Sequence, residues 1–207
     1  MGKAWLNLGI SLAESGKLDD AEVMFIKAAD CEPEVKPQAL TNLALLEKER
    51  VQRALAGGDA AAAKTHGLQA GRYLDEAKPL FDALIPLFPN DEGLRHYASG
   101  FDQLRIFVFR LAGAALMKLG EFADCEAEMT KLVDMFPDAW ESHAMMWTMH
   151  MNTGNADGAE PPPSASEARA LRPAEPFAEI AAEPTKPVAA TARAEPARAD
   201  GPRADTA

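Results

Sequence analysis

At 207 residues, 47% of them apolar and only two of them cysteine, the chain has the material for one packed domain and excludes a disulfide scaffold. Its net charge of −11 excludes the basic footprint of a nucleic-acid binder. No apolar run approaches the roughly 18 residues a membrane span needs, and Met1-Gly2-Lys3-Ala4-Trp5 has no leader character, so a cytoplasmic location is expected.

The first predicted unit covers residues 2–35. Leu8, Leu12 and Ile10 lie on or near one stripe of a helical period. Gly16 ends that helix, and Asp19-Asp20 place negative charge at the start of the second, where the helix dipole favours it. Pro33 stops the second helix. Small residues (Gly9, Ala21, Ala28) mark where two helices cross closely, and Trp5, Leu8, Leu12 and Phe25 are expected to fill the gaps between their ridges.

A second unit, 37–90, has Leu40, Leu43 and Ala44 on its first helix and Ala77, Phe81, Leu84 and Pro89 on its second. Thirty-three residues separate Ala44 from Ala77, whereas twelve separate Gly9 from Ala21. The strong breaker inside is Gly57-Gly58-Asp59, a turn followed by a helix cap. Both helices therefore gain roughly three turns at about 3.6 residues each; the alternative, which Gly67 and Gly71 permit, is a loop within 57–76. The third unit, 91–137, starts with another long helix, 91–119, with a bend expected at Ser99-Gly100. Its turn Gly120-Glu-Phe-Ala-Asp-Cys125 matches Gly16-Lys-Leu-Asp-Asp-Ala21, and Ala112, Gly113, Leu116, Met129, Leu132 and Pro137 fall in the same register as Leu8, Gly9, Leu12, Phe25, Ala28 and Pro33. A single helix at about 138–152 follows, since Pro161-Pro162-Pro163 forbids a partner for it. Cys31 and Cys125 sit at helix positions and read as buried free thiols.

From 155 onward the composition changes. This stretch holds nine of the fifteen prolines and seventeen alanines, with nine acids against six bases. It cannot bury enough surface to offset its ordering entropy, so a disordered tail over 155–207 is expected. Leu171, Phe177 and Ile180 form its one cluster of large apolar residues, a candidate for self-docking.

In one register, Trp5, Leu8, Gly9, Leu12, Gly16, Ala21, Phe25, Ala28 and Pro33 follow the spacing of the tetratricopeptide repeat (TPR), and residues 1–154 resemble a member of that family. The resemblance implies an all-α fold: a right-handed superhelical stack of about three helical hairpins plus a capping helix, with lengthened helices in the middle. It also implies a non-enzymatic scaffold or adaptor that binds an extended peptide or a helix of a protein partner in a concave groove. The alternative is a structural accessory segment of a larger enzyme or complex whose catalytic part lies elsewhere. In the family the residue before the Leu-Gly or Leu-Ala pair points into the groove; here that is Asn7 and Asn42, with Leu111 as a departure in the third unit. An amide pairs with both N–H and C=O of an extended backbone. Arg105 and Arg110 are basic candidates able to take a carboxylate. Relatives that clamp chaperone C-termini carry Lys, Asn and Arg where this chain has Leu6, Ile10, Phe107 and Leu111, so that ligand is not expected.

One cluster has metal-ligating chemistry. Met145, Met146, Met149 and His150 include i, i+4 pairs of the soft donors that suit Cu(I). They lie on the capping helix, which must bury an apolar face, so packing is the favoured reading and no metal or other cofactor is expected. His66 and His96 stand alone in sequence, without a nucleophile at suggestive spacing. Glu47-Lys48-Glu49-Arg50 reads as a solvated helix face.

Overall fold

The computed structural model describes residues 1–137 and 140–154; residues 138–139, at the start of the expected cap, and the whole stretch 155–207, with Leu171, Phe177 and Ile180, lie outside the described residues. The described secondary structure is entirely α-helical: α1 (Gly2–Glu14), α2 (Leu18–Cys31), α3 (Lys36–Ala56), α4 (Ala60–Leu84), α5 (Glu92–Leu119), α6 (Phe122–Met135) and α7 (Trp140–Thr153). None of these helices is long and apolar enough to cross a membrane.

The glycines explain the hairpin geometry. A Cβ on Gly9 of α1 would stand 2.6 Å from the Phe25 ring of α2, so only glycine admits the crossing there. At the matching position of α5, a Cβ on Gly113 would stand 2.9 Å from the Met129 terminal methyl of α6. The two turns also match. Gly16 (φ 76°) and Gly120 (φ 74°) take the left-handed conformation that ends a helix. In each, the next residue's N–H closes on the helix, Lys17 to Leu12 O and Glu121 to Leu116 O, both at 3.0 Å.

The middle helices are long: 21 residues in α3, 25 in α4 and 28 in α5. The chain turns at Gly57-Gly58, and Asp59 Oδ1 accepts from Ala62 N at 2.9 Å to start α4. From Ala60 on, α4 is continuous, so the excess length is helix and the loop alternative for 57–76 fails. Gly67 lies within the added turns, where a Cβ would come within 3.0 Å of Ala112 on α5.

Each helix packs on the next, most extensively α3 on α4, and the odd-numbered helices also touch in order, α1 with α3, α3 with α5, and α5 with α7. One apolar core runs from α1 to α5 through Phe25, Leu40, Leu43, Leu74, Phe81 and Phe101, with the last two rings edge to face at 5.4 Å. A second joins α5, α6 and α7 through Leu116, Met129, Leu132 and Met149. Burying each such side chain stabilises by about 1.5–3 kcal/mol.

Two packing expectations need correction. Leu8, expected to fill a gap, is exposed, because no helix among the described residues covers that side of α1. Cys31 is exposed as well, at the last position of α2, whereas Cys125 is fully buried in the place of Ala21. Burial pushes the Cys125 thiol up to about 11.

Candidate protein-binding face

The odd-numbered helices touch in order, and the four groove candidates divide among them. Asn7 is exposed on α1. Asn42, on α3, is buried: its amide nitrogen donates to Gln38 O and to Tyr97 Oη of α5, both at 2.8 Å. It joins α3 to α5 and is not presented to a ligand. Burial raises the Tyr97 pKa, with the bond from Asn42 opposing it. Arg105 pairs with Asp75 of α4, and its Nε is buried without a partner among the described residues. Arg110 is half-buried and lies one turn on from Phe107, on the same side of α5. Leu111, the departure in the third unit, packs against the cluster of Val51 and Ala115 and seals α3 to α5.

The segment Glu47–Arg50 is not a solvated face. Glu47 is 4% exposed. Its carboxylate accepts from Arg50 Nη1 at 2.7 Å and from His66 Nδ1 of α4 at 2.6 Å. A carboxylate only accepts, so the His66 proton sits on Nδ1. His66 is therefore not isolated: the added turns of α4 carry it to Glu47. Arg50 extends the network to α2 through Asp19 at 2.8 Å and Glu22 at 2.6 Å. Partial burial lowers the Arg50 pKa, and the bonds to Glu22, Glu47 and Asp19 more than reverse this, so the guanidinium stays charged. Three helices are tied at one point.

The neighbouring Lys48 is 9% exposed and packs over the Phe107 ring, its Nζ 5.5 Å from the centroid. Burial lowers its pKa, with Glu49 partly offsetting this. Neither the Glu47 network nor the Lys48–Phe107 contact was legible in sequence, because each joins residues far apart in the chain.

On the capping helix, Met149 and His150 are buried, and Met145 Sδ would lie 2.8 Å from a Cβ on Gly113. Met145 and Met146 pack on the α5–α6 core around Met129. The thioethers therefore fill the joint between three helices, and among the described residues no group of three His, Cys, Asp or Glu side chains is placed to hold a metal. His143 Nε2 is 2.8 Å from Pro137 O, joining α7 to the preceding turn.

On the even-numbered side, a groove of about 280 Å³ runs between α4, α5 and α6, floored by Gly67, Gly71 and Phe109. Its charges are largely self-paired, Glu128 with Lys131 at 2.6 Å and Asp75 with Arg105. No known protein family matches the chain, and no curated protein is significantly similar to it.

Proposed function

We propose that the chain is a TPR-like helical-repeat scaffold without catalytic chemistry of its own, gripping an extended peptide or a helix of a partner protein against its odd-numbered helices. The observation that carries the reading is the order of contacts: α1, α3, α5 and α7 touch in sequence, so alternate helices line one continuous wall. The lengthening of α3 and α5 to 21 and 28 residues enlarges that wall in its middle. On it, Asn7 supplies a backbone-pairing amide and Arg110 a carboxylate-pairing guanidinium, whereas Asn42 and Arg105 hold the scaffold together. A cytoplasmic location belongs to the same reading.

The test is peptide selection from a random display library on the full 207-residue chain, followed by titration of the strongest binder. Asn7→Ala and Arg110→Ala are each expected to weaken binding about tenfold, a loss of about 1.4 kcal/mol, with helicity by circular dichroism unchanged. Full affinity retained in both variants would remove this wall from the model of binding. Asn42→Ala is expected to loosen the α3–α5 joint instead, and to act on stability.

A further inference from the structure

Helices α1, α3 and α5 share one register, so each carries three corresponding positions: Trp5, Leu8 and Leu12 on α1; Leu40, Leu43 and Glu47 on α3; Phe109, Ala112 and Leu116 on α5. On α3 and α5 all six are buried, because the preceding hairpin packs on each helix. On α1 no helix among the described residues covers the same face, and only its margins, at Trp5 and Leu12, touch the core. Leu8 is 45% exposed, Trp5 and Leu12 are half-buried, and Met1 extends the stripe by one more turn. The spacing 1, 5, 8, 12 puts these four apolar side chains on one side of the helix. On α2, Lys27 stands beside them, its Nζ 5.0 Å from the Trp5 ring centroid. Asp20 lies two turns earlier on the same side of α2 and is exposed.

We propose that this face is a homodimer interface, covered by the α1–α2 hairpin of a second copy about a two-fold axis. The corresponding positions of α3 and α5 are covered by a neighbouring hairpin within the molecule, and on α1 the second copy takes that place. Among the described residues α7 covers the face that α6 would offer to a following α1, so a head-to-tail chain of copies cannot repeat the contact made between hairpins inside the molecule. The isologous arrangement is then the one that closes. The charges suit it. Asp20 and Lys27 lie on either side of the α2 midpoint, so antiparallel α2 helices bring each Lys27 opposite the Asp20 of the second copy. Trp5 lies level with Lys27, so the same axis sets Trp5 against Leu12 and brings the two Leu8 side chains together. With 13 residues, α1 spans about 20 Å. A face of two such helices is at the low end of specific interfaces, so the dimer is weak, with Kd of order micromolar.

The test is sedimentation velocity on the full chain from about 2 to about 200 µM, a range that brackets a micromolar Kd. A concentration-dependent shift from monomer to dimer is expected, abolished by Leu8→Glu with far-ultraviolet helicity intact. Asp20→Lys is expected to raise Kd at least about tenfold through like-charge contact, and Asp20→Lys with Lys27→Asp to restore it to within about threefold. Both charge positions are exposed, so that pair decides the matter even if Leu8→Glu disturbs folding. A monomer at every concentration, a dimer indifferent to Leu8→Glu, or a charge swap without recovery each overturns the proposal.

Discussion

Three residues past the small residue of each helix crossing, α1 carries Leu12 and α5 carries Leu116, whereas α3 carries Glu47. In the outer hairpins the position is filled by generic apolar contact. In the central one a buried carboxylate occupies it, and it is matched by two donors from different places, Arg50 one turn along α3 and His66 across on α4. His66 belongs to the turns that lengthen α4 beyond a regular repeat. The insertion therefore does more than extend the stack: it supplies the group that makes an acid tolerable at a core position. An apolar contact tolerates repacking, but a buried network fails when any one member is left without its partner.

The sharpest way to break the comparison is at Glu47. Glu47→Ala leaves Arg50 and His66 facing a cavity, and a loss of about 3–5 kcal/mol is expected in urea unfolding, as for other buried ion pairs that lose one member. Glu47→Leu installs the residue that the outer hairpins use. Arg50 then keeps Asp19 and Glu22, and His66, one-third exposed, turns to water. The loss should shrink to about 1–2 kcal/mol. Equal losses in the two variants would mean that cavity volume has no part in the cost of removing the carboxylate.

A second contrast lies between the first and last hairpins, which share a crossing but fill it differently. At Gly9 an added Cβ meets a rigid ring, Phe25, at 2.6 Å, and at Gly113 it meets two thioethers, Met145 Sδ at 2.8 Å and Met129 Cε at 2.9 Å. A ring held in the core cannot yield without moving a helix, whereas Met has three rotatable bonds. Gly9→Ala is expected to cost about 2 kcal/mol by overpacking, net of the gain in helix propensity. Gly113→Ala should stay below about 1 kcal/mol. Thermal unfolding of the two variants side by side checks the order, and the reverse order would show that the methionines are as tightly held as the ring.

These contrasts also mark what the sequence discloses. The small-residue positions, the turn glycines and the caps act within one or two turns of chain, so the helix ends and the long central helices were readable. Even the excess between Ala44 and Ala77 resolved into helix, because Gly57-Gly58-Asp59 is the only strong breaker there. What could not be read depends on which side of a helix faces a neighbour distant in sequence. Glu47, Lys48 and Arg50 carry the composition of a wet surface, yet α3 has neighbours on several sides, α2, α4 and α5 among them. Asn42 shows the same limit: the repeat register assigns it to the groove, and Tyr97, 55 residues later, takes its amide. The register places a backbone position, and the long neighbouring helices decide what the side chain there meets.

Lys48 supplies the smallest effect and the finest distinction. Adjacent to Glu47 and nearly as buried, it has no ion-pair partner among the described residues, only the Phe107 face. Burial holds its pKa below the ordinary 10.5. For a lysine so shifted, protonation opposes folding: its contribution to stability is full above the unfolded-state pKa and is lost as pH falls through the folded-state value. Neutral pH is therefore where the charge is most unfavourable. Lys48→Met keeps the length and a sulfur–aromatic contact with Phe107 while removing the charge. The variant is expected to be more stable than the parent at pH 7, by less than about 1 kcal/mol because a cation–π contact is lost with the charge. That advantage should vanish as pH rises past about 10.5. Urea unfolding at both pH values separates the cases. A variant clearly weaker at pH 7 would mean that the ammonium is held by an anionic neighbour, and the two adjacent buried charges of α3 would then be alike after all.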